Sequence, residues 1–196
     1  MANVFLDLGT HFGQGLDHFI RHYGIDNNWV VHTFEANPVT HKIYVEHHHS
    51  KYPFVISHNE AVSDYDGVID INIETPPNEG HTGQGSSIIE MDKWNPWNGT
   101  LRENFQFKVE VPCIDFAKFI SDNFNSDDRI IIKMDIEGSE FATIRKMLDS
   151  DVIKYVNTLC VEWHDHYFTN KEEMTEKKKQ LVEEINKYNI ELIDWH

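Results

Sequence analysis

The chain has 196 residues, with 17 Lys and Arg against 33 Asp and Glu, and a formal charge of −16. This length suits one domain with a substantial core, and so acidic a surface repels nucleic acids and anionic lipids. We therefore expect no nucleic-acid partner. No apolar run approaches the ~18 residues of a membrane span, and no leader-like segment precedes the first apolar run. We expect neither a signal peptide nor a membrane span, a cytoplasmic location, and no disulfide framework from the two cysteines.

Short apolar runs alternate with helical patterns in the first part of the chain. This alternation is typical of right-handed crossovers and a mostly parallel sheet. The pattern predicts strands at residues 4–8, 29–34 and 54–57 and helices at residues 14–23 and 39–49.

The middle of the chain has a different pattern. Residues 68–73 alternate apolar and polar side chains, as a half-exposed strand does, and residues 105–111 resemble a second strand before a helix at 114–123. Between them, residues 75–99 contain prolines, glycines and two tryptophans with little periodicity, which predicts a long functional loop. We interpret residues 68–111 as an inserted flap or hairpin over the sheet edge.

The regular pattern returns near residue 129 and continues to the last residues. It predicts strands at 129–134, 158–161 and 190–193 and helices at 139–148 and 171–187. We therefore expect one α/β domain over residues 1–196, with a compact, mostly parallel, Rossmann-like sheet.

The glycine turn after the first strand predicts a cofactor site. Gly9, Gly13 and Gly15 have the spacing G-x-x-x-G-x-G rather than the dinucleotide pattern G-x-G-x-x-G. Asp7, at the strand end, suits a cation better than a pyrophosphate. S-adenosylmethionine carries an ammonium and a sulfonium and no phosphate, so it is the favoured cofactor. The alternative is a purely structural turn. Cofactor-binding candidates here are Asp7, Gly9, Thr10, His11 and Gly13.

Two further segments predict an adenosine site. Glu35 ends the second predicted strand, where a carboxylate can accept both ribose hydroxyls, and Ala36 follows it. After the third strand, Asn59 or Glu60 can meet the adenine amino group, and Ala61 can pack on the ring. The alternatives are a surface carboxylate and a plain loop.

Acidic and imidazole side chains follow the fourth and fifth strands of the predicted parallel sheet. Asp135 and Glu137 follow the first of these, and Glu162, His164 and His166 follow the second. Asp135, Glu162 and His164 are our catalytic candidates. They can hold a divalent metal through O and N ligands, or His164 can act as a general base oriented by a carboxylate. The alternatives are helix-cap chemistry for Asp135 and Glu137 and an exposed loop position for His166.

Several separated motifs together resemble the FkbM-type methyltransferases. The resemblance runs from residue 4 to about residue 164, and the block that contains DIEG is its most specific part. The motifs are FLDLGTHFGQG, FEANP, NEAVSD, GQGSSI, VPCIDF, IIIKMDIEGSEFATIRK and the Glu162-x-His164 ending. The resemblance implies a class I S-adenosylmethionine-dependent fold and O-methylation of hydroxyls on sugars, polyketides or other metabolites.

The same resemblance implies roles for individual positions. The methionine part of the cofactor would lie near Asp7, Gly9 and Gly13, the ribose near Glu35, the adenine near Ala61 and the methyl group near Asp135 and Glu137. Ser86 and Ser87 stand at a recurrent small polar position, and we add Ser87 to the cofactor-binding candidates. The sequence departs from the family in having His11 where asparagine is common, and we expect no N-terminal extension and no seventh, antiparallel core strand at its usual place.

Our main hypothesis is therefore an S-adenosylmethionine-dependent O-methyltransferase for a hydroxyl of a sugar, glycan or small metabolite. A nicotinamide-dependent reductase is an alternative that keeps Glu35, although Tyr155 lacks a lysine four residues later. A non-catalytic methyltransferase-like binding protein is a second alternative, and a metal-dependent hydrolase is a third. An uncapped sheet edge would also allow an oligomer.

Overall fold

Parallel strands dominate the protein. The structure is a computed structural model that describes residues 1–48, 50–74, 86–88 and 105–195. Within these ranges the strands are β1 (Asn3–Leu8), β2 (Trp29–Phe34), β3 (Val55–His58), β4 (Ala61–Ser63), β5 (Gly67–Glu74), β6 (Phe105–Asp115), β7 (Arg129–Met134), β8 (Val156–Val161) and β9 (Glu191–Asp194). Six of these form a wholly parallel central sheet in the order β3-β2-β1-β7-β8-β9. The predicted α/β fold with a mostly parallel sheet is confirmed.

Helices cover both faces of the central sheet, which explains why its strands read as continuous apolar runs. Side chains of α1 and α2 pack on one face and those of α3, α4 and α5 on the other. The helices are α1 (Gln14–Tyr23), α2 (Pro38–His48), α3 (Phe116–Asn123), α4 (Glu140–Asp149) and α5 (Lys171–Ile185). Among the described residues, no helix combines the length and apolar character needed to cross a membrane.

A second, smaller sheet is built around the middle of the chain. β6 pairs antiparallel with β5 and parallel with β4, in the order β4-β6-β5. The predicted hairpin-like segment at 68–111 therefore has two long arms, but its sheet also takes in β4, which is too short to have a clear sequence pattern. Within the described ranges, its strands do not join the central sheet. Most of the predicted 75–99 loop lies outside the described residues.

No helix boundary differs from its prediction by more than two residues, and two of the differences have a local cause. α3 begins at Phe116 rather than at residue 114, because β6 stays paired with β4 up to Asp115. Asp115 then caps the helix, accepting a 3.0 Å hydrogen bond from the Lys118 N–H. α2 begins at Pro38, and Asn37 before it accepts a 3.0 Å hydrogen bond from the Val39 N–H.

Candidate functional site

A cavity of about 560 Å³ opens at the carboxyl ends of the central strands. β1 pairs with β2 on one side and with β7 on the other, so the order of strands reverses there. Such a switch point is where open α/β sheets bind ligands, and the volume lies in the usual range for small-molecule sites. The predicted site residues that line it are Gly9, Thr10, His11, Glu35, Ala36, Glu60, Ala61, Asp135 and Glu162.

Five other predicted site residues are not part of the cavity lining. They are Asp7, Gly13, Asn59, Ser87 and His164. Asp7, Ser87 and His164 are all at least 98% buried. A direct contact of these five with a cofactor therefore stays a prediction, and what the structure shows for them is how they hold the lining in place.

The glycine turn is fastened to the end of β2. The N–H groups of Gly9 and Thr10 both donate to the Phe34 carbonyl oxygen, at 2.9 and 3.0 Å. Gly9, Gly13 and the non-glycine His11 all have positive φ angles, of 76°, 87° and 51°. Gly13 caps α1 in this left-handed conformation, so its predicted role at the turn has a backbone cause.

Glu35 is held at the cavity wall by the backbone. Its Oε2 accepts a 2.8 Å hydrogen bond from the His11 N–H, and its Oε1 accepts a 2.9 Å bond from the Asn37 N–H. Burial raises the pKa of this carboxyl to about 7, although both hydrogen bonds and the Lys133 charge act in the opposite direction. Each oxygen has a lone pair left for a second donor.

The segment around Asn59 supports the same wall. Asn59 Nδ2 donates to the Glu35 and Ala36 carbonyl oxygens, at 2.8 and 3.3 Å, so its amide braces the loop after β2. Glu60 and Ala61 line the cavity. Of the three residues predicted to meet adenine, Glu60 and Ala61 are therefore the two on the lining.

Lys133 is a central residue of the site whose role the sequence did not predict. It is only 3% exposed, and its Nζ donates to the Gly9 carbonyl oxygen at 2.7 Å and to Asp135 Oδ2 at 3.1 Å. The same Nζ is 3.5 Å from Asp7 Oδ1. Burial alone lowers the pKa of Lys133, but the Asp7 and Asp135 charges outweigh it and raise the pKa. The cation that Asp7 faces in the structure is therefore Lys133.

The predicted catalytic residues come together at one end of the strands. Ligand atoms of Asp135, Glu162 and His164 all lie within 4.8 Å of one another. The imidazole Nε2 is 3.8 Å from Asp135 Oδ1, 3.9 Å from Glu162 Oε1 and 3.7 Å from Glu137 Oε2. His166 is exposed on the short helical turn Asp165–Tyr167, as its alternative interpretation predicted.

Glu140 fixes the orientation of this imidazole. Its Oε1 is 2.8 Å from His164 Nδ1, and the same carboxylate accepts hydrogen bonds from the Ile136 and Gly138 N–H groups, each at 3.0 Å. Burial alone would lower the pKa of His164, but Glu140, Glu137 and Asp135 raise it to about 10. Burial also raises the pKa of Glu137 to about 7.

Ser87 holds the DIEG turn through a side-chain hydrogen bond. Its hydroxyl donates a 2.6 Å hydrogen bond to the Glu137 carbonyl oxygen, and its backbone pairs with Asn72 of β5 in both directions. Glu137 has a φ of 51°, a conformation that non-glycine residues rarely adopt. The predicted serine position therefore positions the turn that carries Glu137.

Among the residues that the sequence did not predict are Lys133 and Glu140, and also Tyr167 and Trp195 on the lining. The sequence does contain a signal for Lys133, because a lysine inside the apolar run IIIKM, two residues before Asp135, is unusual. The sequence contains no such signal for Glu140, because a glutamate in the first turn of a helix is common.

Comparisons with known proteins identify a family for the chain. The family model described as methyltransferase FkbM domain matches residues 7–190. No curated protein and no solved structure matches the chain significantly. Because the family model spans nearly the whole chain, the protein belongs to the FkbM methyltransferase family.

Proposed function

We propose that the cavity binds S-adenosylmethionine and that the protein transfers its methyl group to a hydroxyl of a sugar, glycan or small metabolite. The observation that carries this proposal is the shared lining of one cavity. The lining includes Glu35, which offers hydrogen-bond acceptors to ribose hydroxyls, and the carboxylates of Asp135, Glu137 and Glu162. The family assignment supports methyl transfer, and the cofactor and the acceptor class are our inference.

The donor set of the lining fits this cofactor better than a dinucleotide. Each Glu35 oxygen already accepts one backbone N–H and keeps capacity for a hydroxyl donor. A pyrophosphate would meet the carboxylates of Glu35, Glu60 and Asp135 on the same lining. The lysine there, Lys133, already contacts Asp135 and the Gly9 carbonyl oxygen. These charges favour a cationic cofactor over a nicotinamide dinucleotide.

The residues then have distinct tasks in the reaction. S-adenosylmethionine supplies an electrophilic methyl group on a sulfonium. Glu35 holds the ribose, and the backbone at Gly9 shapes the neighbouring wall. Carboxylates of the cluster accept the hydrogen bond of the acceptor hydroxyl and keep it in line with the methyl group. The oxygen–carbon bond forms as the sulfur–carbon bond breaks, the sulfur keeps the electron pair, and the hydroxyl proton passes through the cluster to solvent.

Calorimetric binding of S-adenosylhomocysteine and of NADH to the full chain tests the cofactor. We expect S-adenosylhomocysteine to bind, and Glu35→Gln to weaken its binding by about tenfold to a hundredfold, because the carboxamide offers the ribose hydroxyls one uncharged acceptor oxygen where the carboxylate offers two charged ones. Glu46→Gln, an exposed change on α2, is the matched control. Absence of binding, or tighter binding of NADH, would overturn the cofactor assignment.

Transfer of a labelled methyl group to a panel of sugars and hydroxylated metabolites tests the acceptor. We expect a product heavier by one methylene unit, with the methyl group on oxygen. Cofactor binding without turnover of any hydroxylated compound would instead favour the non-catalytic binding protein.

A further inference from the structure

The buried imidazole of His164 faces a group of carboxylates, and among the described residues none of them forms a hydrogen bond with its Nε2 atom. His164 is 2% exposed, and its nearest Nε2 neighbours among the described carboxylates are Glu137, Asp135 and Glu162, at 3.7, 3.8 and 3.9 Å. These separations exceed the usual ~2.7–3.2 Å of an N–H···O hydrogen bond. The three carboxylates therefore surround Nε2 at distances too long for a hydrogen bond.

The other ring nitrogen is firmly bound. Glu140 is fully buried, accepts hydrogen bonds from two backbone N–H groups, and lies 2.8 Å from His164 Nδ1. A carboxylate in this position holds a proton on Nδ1, so Nε2, which faces the other carboxylates, is the nitrogen that gives up its proton when a cation binds. Histidines that bind metals almost always have such a partner on their second nitrogen.

We propose that Asp135, Glu162 and His164 bind a divalent cation of the Mn²⁺ type, with Glu137 beside it. Their ligand atoms already lie within 4.8 Å of one another. Two ligands on one ion at ~2.0–2.2 Å are separated by about 3.0–3.4 Å, so side-chain shifts of about 1 Å or less complete the shell. Two or three carboxylates with one imidazole form an oxygen-rich site, which suits Mn²⁺ and Mg²⁺ better than thiolate-loving metals.

At this position, the proposed ion has coordination sites that are open to the cavity. Asp135, Glu137 and Glu162 line the cavity, whereas His164 lies outside the lining. The protein ligands therefore hold the ion from one side, and its remaining positions face the cavity, as in catalytic rather than structural metal sites. In a step that rests on the proposed function, the acceptor oxygen binds there and loses its proton more readily as a metal-bound hydroxyl.

Manganese binding to the EDTA-treated full chain tests the site without cofactor or acceptor. Free Mn²⁺ is measured by its electron paramagnetic resonance signal during a titration. We expect one saturable site per chain and nitrogen coupling from one imidazole in the bound ion's pulsed spectrum. Glu162→Gln is the principal variant, because its side chain is 35% exposed and the change leaves the core intact. We expect it to weaken binding by about tenfold or more.

Two controls separate this site from surface binding. Glu176→Gln removes an exposed carboxylate on α5, and His22→Gln removes an exposed imidazole on α1. Both should leave the titration unchanged. The proposal is overturned if no saturable site is found up to about 1 mM Mn²⁺, if Glu162→Gln binds as the wild type does, or if the bound ion shows no imidazole coupling. Because no methyl donor is present, these outcomes are independent of the calorimetric test of the cofactor.

Discussion

Gly9 and Asp135 approach each other so closely that the first of them has to be glycine. A Cβ atom built on Gly9 would lie 1.7 Å from the Asp135 carbonyl oxygen, and the φ of Gly9 is +76°. The two residues follow β1 and β7, the neighbouring strands at the switch point. The close approach therefore joins the glycine turn to the loop that carries the acidic cluster.

We expect Gly9→Ala to be far more destabilising than another glycine replacement with the same backbone conformation. Gly24 is the matched control, since its φ is +63° and nothing lies within 4 Å of an added Cβ. Gly24→Ala should cost about 1–2 kcal/mol from the left-handed conformation alone. Gly9→Ala should exceed it by at least about 2 kcal/mol, because backbone must move as well. Urea unfolding measures both, and equal losses would contradict the contact.

Lys133 gives a second stability prediction. Lys133→Met should leave the carboxylates of Asp7 and Asp135 without their shared counter-charge in a buried site. Breaking a buried ion pair from one side typically costs about 3–5 kcal/mol of unfolding free energy. Lys118→Met, which breaks an exposed ion pair with Asp122, should leave the unfolding free energy nearly unchanged.

A double variant tests whether the buried charge is the cause. Asp7→Asn removes the negative charge that lies 3.5 Å from Lys133 Nζ. Combined with Lys133→Met, it should be less destabilising than the sum of the two single changes. Simple additivity would show that the loss comes from packing rather than from the unpaired carboxylate.

The contrast between Lys133 and the rest of the site shows what the sequence could predict. Strand ends can be predicted because apolar runs stop there, so the sequence places Glu35, Asp135 and Glu162 at one edge of a parallel sheet. In the structure, ligand atoms of Asp135, Glu162 and His164 lie within 4.8 Å of one another at that edge. Their metal or catalytic role remains a prediction.

The parts that the sequence did not predict depend on distances between remote segments. Lys133 contacts the Gly9 carbonyl oxygen across 124 positions of the chain, and no local pattern encodes that contact. Glu140 is 24 positions from His164, and its hydrogen bond depends on how α4 begins after a turn with two positive φ angles. The sequence predicts that Asp7 faces the cofactor's cation, but in the structure the cation beside it is Lys133.

Glu35 gives a prediction for pH. Burial raises its pKa from 4.5 to about 7 in the folded chain, with Asp135 adding to the rise and Lys133 and two backbone N–H groups opposing it. The folded state therefore binds more protons than the unfolded state between these values, and the unfolding free energy contributed by Glu35 falls as the pH rises through this window. The fall amounts to about 3 kcal/mol and ends slightly above pH 7.

Urea unfolding of the wild type and of Glu35→Gln from pH 4.5 to 8 measures this contribution. The difference in unfolding free energy between the two should decrease steadily towards pH 7 and then level off. Glu46→Gln, an exposed carboxamide variant, should show no such slope relative to the wild type. A difference between wild type and Glu35→Gln that stays constant with pH would contradict a raised pKa at this position.

Ser87→Ala tests the hydrogen bond that holds the DIEG turn. The change removes the 2.6 Å hydrogen bond to the Glu137 carbonyl oxygen and should cost about 1 kcal/mol of unfolding free energy. Ser121→Ala also removes a serine-to-carbonyl hydrogen bond, at 2.9 Å, but on exposed α3. Because Glu137 lies beside the His164 cluster, Ser87→Ala should also weaken Mn²⁺ binding, whereas Ser121→Ala should not. A loss of stability with unchanged Mn²⁺ affinity would assign Ser87 to the stability of the fold alone.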